Sequence, residues 1–302
     1  MSGLRIACIG EAMLELRVSS VPGPAEVGVA GDVLNTAIYL RRMLPPEHGV
    51  SFVSLLGQDR LSDDMTRYIA SQGIDTACLG QIEDRLPGVY AITTDSAGER
   101  SFQYWRQASA ARLQFQDGAG LSFDSLSGFD VVYISAISLA ILPAEVRHGF
   151  LNWVEGFRKA GGTFVFDSNY RPKLWESPEA ARETISACWQ LCDIALPSVD
   201  DELALFGEQS DQDVLERFRT YENCSGALKR GFLGPVSINL SSPEQKFDPA
   251  KNVVDTTAAG DGFNGGYLAA ILTGSTQSEA LARGHELACR IVGHSGAIIP
   301  AE

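Results

Sequence analysis

The chain has 302 residues, 45% hydrophobic and 21% charged, with 24 basic against 38 acidic side chains and a formal net charge of −14. A field of that sign repels nucleic acid and anionic membrane surfaces, which excludes both as partners. The length buries a large core in one α/β domain or two small ones.

No apolar run approaches a membrane span, and Met1-Ser2-Gly3-Leu4-Arg5-Ile6 enters a strand-like run with no signal peptide, so a cytoplasmic protein is expected. The six cysteines, Cys8, Cys78, Cys188, Cys192, Cys224 and Cys289, are scattered and mostly in apolar contexts, as reduced thiols are.

In chain order, strand-like runs at 5–9, 51–56, 131–135, 163–167 and 193–196 alternate with helix-like segments at 33–43, 63–72, 144–159 and 180–192. Strands alternating with helices imply a parallel sheet covered on both faces. Residues 12–30 and 87–106 break the rhythm as short alternating strands. In the second, Gly88-Val89-Tyr90-Ala91-Ile92-Thr93-Thr94 and Arg100-Ser101-Phe102-Gln103-Tyr104-Trp105 flank a turn, Asp95-Ser96-Ala97-Gly98-Glu99. These two inserts are expected to form a small sheet that serves as a lid on a single domain spanning 1–302, since no linker or repeat divides the chain.

Near the C-terminus, Asp255-Thr256-Thr257-Ala258-Ala259-Gly260-Asp261 is read as the end of a short apolar strand opening into a helix through Gly262-Phe263-Asn264-Gly265-Gly266-Tyr267. The amides of Ala258 to Gly262, unpaired at a helix start, would cradle a phosphate with help from the helix dipole. A carboxylate there would repel that phosphate unless it accepts the proton of an attacking hydroxyl, the role given to Asp261. Two other readings stand beside it: Asp261 as a helix cap, and Gly260-x-Gly262-x-x-Gly265 as a dinucleotide fingerprint. The second requires another parallel strand after the helix, whereas a helical pattern from 278 to about 294 follows instead. No Walker-type phosphate loop occurs.

The Asp255–Asp261 stretch, Ala30-Gly31-Asp32-x-x-Asn35 and the hairpin resemble the ribokinase-like (PfkB) carbohydrate kinases. Gly10-Glu11-Ala12-Met13-Leu14-Glu15-Leu16, Arg85-Leu86-Pro87-Gly88-Val89-Tyr90, Gly98 to Arg106, Ser138 to Leu142, Asn169-Tyr170-Arg171-Pro172 and Gly296 to Pro300 resemble the 2-keto-3-deoxygluconate kinase subgroup. The resemblance implies a three-layer α/β/α fold with a mostly parallel central sheet and a β-sheet lid. It also implies ATP with Mg²⁺ as cofactors, a sugar acid phosphorylated at its C6 hydroxyl, and a homo-oligomer formed through the lid.

Residue by residue, it implies a sugar site of Gly31, Asp32 and Asn35 beneath the lid, with Asp261 at the hydroxyl and Ala258, Ala259 and Gly260 at the transferring phosphate. Asp32 could also cap the helix at 33–43. Arg106 and Arg171 are the expected ligands of the acid's carboxylate, because a guanidinium pairs bidentately with one. Tyr90 and Tyr104 share a lid face and are expected to aim their hydroxyls at the ligand. Otherwise they are lid core or dimer contacts.

For the nucleotide the resemblance implies Asn169, Arg171, Lys229, Gly231 and Gly234. The segment 223–252 departs from the family: it reads as lacking the apolar strand before Leu228, and Phe232-Leu233-Gly234-Pro235 replaces a small polar turn. The family's metal-organising Asn-x-x-Glu is replaced by Ser198-Val199-Asp200-Asp201, so a Mg²⁺ role passes to Asp201, with Glu202 as the alternative. These acids could equally start a helix. His285 with Cys289, and Cys188 with Cys192, are read as structural. A neutral-sugar or nucleoside kinase, and a sugar-acid-binding protein without catalysis, are the competing functions.

Overall fold

The structure, a computed structural model, describes residues 3–18, 23–94, 100–243 and 245–301; the hairpin turn expected at 95–99 lies outside the described residues. The chain runs through β1 (Arg5–Ile9), β2 (Met13–Val18), β3 (Glu26–Ala30), α1 (Asp32–Met43), β4 (Gly49–Gly57), α2 (Arg60–Ser71) and β5 (Leu79–Ile82). It continues with β6 (Gly88–Thr94), β7 (Arg100–Trp105), β8 (Val131–Ser135), α3 (Ala136–Ala140), α4 (Ala144–Lys159), β9 (Thr163–Asp167) and α5 (Pro178–Leu191). Last come β10 (Ile194–Ala195), α6 (Val199–Phe206), α7 (Asp211–Phe218), β11 (Ser225–Leu228), β12 (Val236–Ile238), α8 (Ala259–Leu272) and α9 (Gln277–Val292).

The large sheet has the order β12-β11-β10-β9-β8-β1-β4-β5 and is parallel except for β12, which runs antiparallel to β11. Alternate residues feed opposite cores. Ile6, Cys8, Phe52 and Tyr133 pack with α1, α2, α8 and α9, while Ala7, Ile9, Val53 and Ile134 pack with α4, α5 and α7. Burial on both faces explains why these strands read as continuous apolar runs. The three-layer α/β/α fold is the one expected.

Two expectations near the C-terminus are corrected. The strand before Leu228 is present as β11; it escaped notice because it is short and contains Gly226, where a Cβ would lie 1.9 Å from the Ala195 carbonyl oxygen. Conversely, no strand runs into α8: residues 252–258 are irregular, and Val253 and Val254 are exposed. The dinucleotide reading fails with that strand. Two of its glycines serve packing instead: a Cβ on Gly262 would lie 1.9 Å from Ile291 Cδ1, and one on Gly265 2.6 Å from Tyr39 Cβ and 2.9 Å from the Leu40 amide nitrogen, both on α1.

The inserts form a separate four-stranded sheet, order β3-β2-β6-β7, with β2 and β6 parallel and the outer pairs antiparallel. Its register sets Glu15 beside Tyr90 and Tyr90 beside Tyr104, so the three share one face. β3 runs directly into Gly31 and α1, which joins this sheet to the residues expected around the sugar.

Candidate active site

Ala258, in the left-handed region at φ 60°, is the N-cap of α8. The amides here are not all free: Ala259 N–H donates to Thr256 O (3.2 Å) and Gly262 N–H to Ala258 O (2.8 Å), while the Gly260 amide has no partner among the described residues. Buried Asp255 holds the turn by accepting from the amides of Thr257 (2.9 Å) and Gly296 (2.7 Å). Asp261 lies in the first turn and does not cap it. Its Oδ2 accepts from Asn35 Nδ2 at 2.9 Å. Burial and then the neighbouring Asp32 carboxylate push its pKa up to about 8, against the Asn35 hydrogen bond, which lowers it.

Asp261 lines a cavity of about 550 Å³ that also brings together Gly31, Asp32, Asn35, Tyr90, Tyr104, Arg106 and Arg171. All the residues expected around the sugar therefore meet, although several are held differently from expectation. Asp32 is not a cap; Gly31 holds that position, where a Cβ would lie 2.2 Å from the Glu11 carbonyl oxygen. The Asp32 carboxylate instead accepts from Ser135 Oγ and, at 2.9 Å, from Asn169 Nδ2. Asn169, expected at the nucleotide, thus lines the same cavity as Asp32. Asn35 Oδ1 is buried with no hydrogen-bond partner among the described residues, which leaves it open to a ligand hydroxyl.

The Tyr90 hydroxyl is bonded to Glu15 rather than aimed at the ligand, so Tyr90 offers its ring, stacked at 5.7 Å on the more exposed Tyr104. Arg106 is buried and paired with Glu11. Arg171 is 54% exposed, donates to Tyr170 O at 2.8 Å and approaches Asp201 Oδ1 at 3.6 Å. It too lines the cavity that holds Asp261 and not the second one.

That second cavity, of about 490 Å³, has apolar walls from Phe232, Pro235, Val253, Phe263, Ala288 and Val292. Gly231 lines it but Gly234 does not: at φ 77°, and with a would-be Cβ 2.5 Å from Phe247 Cβ, Gly234 shapes the turn behind. The unusual Phe232 is 78% exposed and forms part of the wall. His285 and Cys289, read as purely structural, also line it, with His285 Nε2 2.7 Å from Asp248 O.

The cavities share Ser198, Asp200, Lys229, Thr256, Ala259 and Gly260. At that join Lys229 Nζ donates to Asp167 Oδ1 (2.8 Å) and Asn264 Oδ1 (3.1 Å), and Asn264 Nδ2 donates to Asp167 Oδ2 (2.9 Å). Asp167, Asn264 and Ser135 were not singled out from the sequence. They are buried polar residues distant in sequence from their partners, with no local spacing to betray them.

Asp201 sits in the first turn of α6, accepts from Ser168 Oγ at 3.0 Å and has its pKa raised, chiefly by burial. Glu202 is ruled out as a cation ligand here, being buried against Arg217 at 2.6 Å. No cluster of three ligating side chains occurs among the described residues. Asp201 shares its cavity wall with Asp32, Asp167, Asp200 and Asp261, and one such carboxylate suits Mg²⁺, which keeps several waters and binds mainly through substrate phosphates.

A polar cavity and an apolar cavity that meet at a helix N-terminus, with a carboxylate on one side and a lysine between, define a phosphotransferase acting on a small-molecule alcohol. The chain belongs to the pfkB family carbohydrate kinases, whose family model matches residues 4–302. It is 39% identical to the 2-dehydro-3-deoxygluconokinase of Escherichia coli (strain K12), over 99% of this chain and 98% of that one. It is 40% identical to the 2-dehydro-3-deoxygluconokinase of Dickeya dadantii (strain 3937), over 100% and 99%. The crystal structure of aminoimidazole riboside kinase from Salmonella enterica, complexed with aminoimidazole riboside and an ATP analog, is similar at a TM-score of 0.79 and 25% identity, covering 97% of this chain and 95% of that one. No helix among the described residues is long and apolar enough to cross a membrane.

Proposed function

We propose that this chain is an ATP-dependent 2-dehydro-3-deoxygluconokinase that phosphorylates 2-dehydro-3-deoxy-D-gluconate at its C6 hydroxyl. The observation that carries the reading is the gathering of Asp261, Arg106 and Arg171 in one polar cavity, in a chain about 40% identical to kinases named for that sugar acid. A neutral sugar has no use for the two guanidiniums. The sugar acid lies in the polar cavity with its carboxylate at Arg106 and Arg171 and its hydroxyls at Asp32 and Asn35.

ATP lies in the apolar cavity, its terminal phosphate reaching the join at Lys229 and the unpartnered Gly260 amide. Ionised Asp261 takes the C6 proton as that oxygen attacks phosphorus, and the oxygen to phosphorus bond forms as ADP leaves. Mg²⁺ would be held through Asp201 and the phosphates, and it supplies neutralisation of their developing charge. Closure of the lid formed by 12–30 and 87–106 excludes water, which would otherwise be phosphorylated in place of the sugar.

We also read the lid as the oligomer contact in a cytoplasmic enzyme of one domain. Val27 and Trp105, 63% and 56% exposed, lie on the face opposite Tyr90 and present apolar area to a second lid. The test of function is ADP release measured across sugar acids and neutral sugars. Preference for fructose or ribose over 2-dehydro-3-deoxygluconate would overturn the substrate assignment, and thermal stabilisation by the sugar acid without ADP release would make the chain a binding protein.

A further inference from the structure

Resting on the sugar-acid reading, we propose that Glu11 is the positioning residue for Arg106, holding its guanidinium in the wall of the polar cavity so that it meets the substrate's carboxylate. Glu11 lies in the connection between β1 and β2, and Arg106 immediately follows β7. Their ion pair, between Arg106 Nη2 and Glu11 Oε2, ties the end of the lid to the root of the main sheet. Both are buried, Glu11 at 1% and Arg106 at 6% exposed, so neither charge is solvated; burial pushes the Glu11 pKa up, and the Arg106 guanidinium beside it acts in the opposite direction.

The neighbourhood is shaped around this pair. A Cβ on Gly88 would stand 2.6 Å from Glu11 Oε1 and 3.3 Å from Arg106 Cβ, so a side chain there would displace one or both. Two atoms of the pair are left unmet: Arg106 Nε and Glu11 Oε1 are buried with no hydrogen-bond partner among the described residues. Buried polar atoms of this kind are ordinarily paired, and an unmet donor on a cavity-lining guanidinium calls for an acceptor from a ligand. Glu11 restricts the arginine to one arrangement, so the ordering that a flexible guanidinium would undergo on binding is already complete.

The experiment compares steady-state kinetics of the parent with Glu11→Ala, Glu11→Gln, Glu11→Asp, Arg106→Ala and the Glu11→Ala/Arg106→Ala double variant, with thermal melts of each. If the parent fails to phosphorylate sugar acids, the functional reading fails and this one with it. Given an active parent, Glu11→Ala and Arg106→Ala are each expected to raise KM for the sugar acid about 10-fold or more, with KM for ATP within about two-fold, and the double variant to be no worse than the poorer single. Glu11→Gln, which keeps an acceptor at the same reach, should recover most of the loss. Should Glu11→Ala fail to fold, Glu11→Asp against Glu11→Gln carries the same comparison, the shorter side chain giving the larger KM. An unchanged KM, additive losses in the double variant, or equal losses toward ATP would overturn the assignment.

Discussion

Asn35 donates from Nδ2 to Asp261 Oδ2 at 2.9 Å, joining the start of α1 to the start of α8 across 226 positions. The bond lowers the carboxyl's pKa, while burial and Asp32 raise it, so proton affinity at this position is the outcome of a balance. A carboxylate with its pKa held up to about 8 is a better proton acceptor than an exposed one.

Replacing Asp261 by Asn removes the acceptor while keeping the shape. Turnover is expected to fall about 10²–10⁴-fold, the usual worth of a general base, with the sugar acid still bound. Calorimetric titration alongside the ADP-release assay checks this, and an Asp261→Asn variant turning over at the parent rate would end the general-base assignment.

The pH dependence follows from the same group. The base works ionised, so with a pKa near 8 in the free protein kcat/KM should rise with pH and level off above about 8. Asp32→Asn removes the second-largest cause of the upward shift, and the limb should then move to lower pH. A profile that stays put in that variant contradicts the electrostatic account.

Lys229 is a hinge point for both stability and nucleotide binding. Lys229→Met leaves Asp167, 2% exposed, without its cation, and breaking a buried pair costs about 3–5 kcal/mol. Urea unfolding should register that loss, and KM for ATP should rise more than KM for the sugar acid.

Two glycines offer opposite outcomes for the same substitution. Gly265→Ala drives a methyl into the α1 backbone and should destabilise by about 1–3 kcal/mol, whereas Gly156→Ala at an exposed position of α4 meets nothing within 4 Å and should stabilise by about 0.5–1 kcal/mol. Thermal melts of both decide it; equal effects would mean that the close α1–α8 contact is not what demands the glycine.

Much of the fold was legible because its signals are local. β1, β8 and β9 are apolar runs and α4 and α5 are periodic segments, and the residues expected around the sugar do meet in one cavity. The misreadings share a physical origin. Gly226 hides a strand because its side chain is absent to admit Ala195, and the bond from Asn169 to Asp32 was not legible because the two lie 137 positions apart. Tyr90 and Arg106 were expected to aim their polar ends at substrate. Glu15, brought beside Tyr90 by β2, binds its hydroxyl, and Glu11, in the connection before β2, pairs with one end of the Arg106 guanidinium and leaves Nε unmet in the cavity wall.

By itself the amino-acid order determined the alternation of strand and helix, the net acidic charge, and the placing of a carboxylate just inside a small-residue helix start. Those depend on neighbours within a few positions, where backbone preference and side-chain period act. Only the tertiary structure decided which groups hold the working residues: Asp167 and Asn264 on Lys229, Ser135 and Asn169 on Asp32, Glu11 on Arg106. Hydrogen bonds and ion pairs act over a few ångströms of space, and it is the order of strands in the two sheets that sets which distant segments come within that reach.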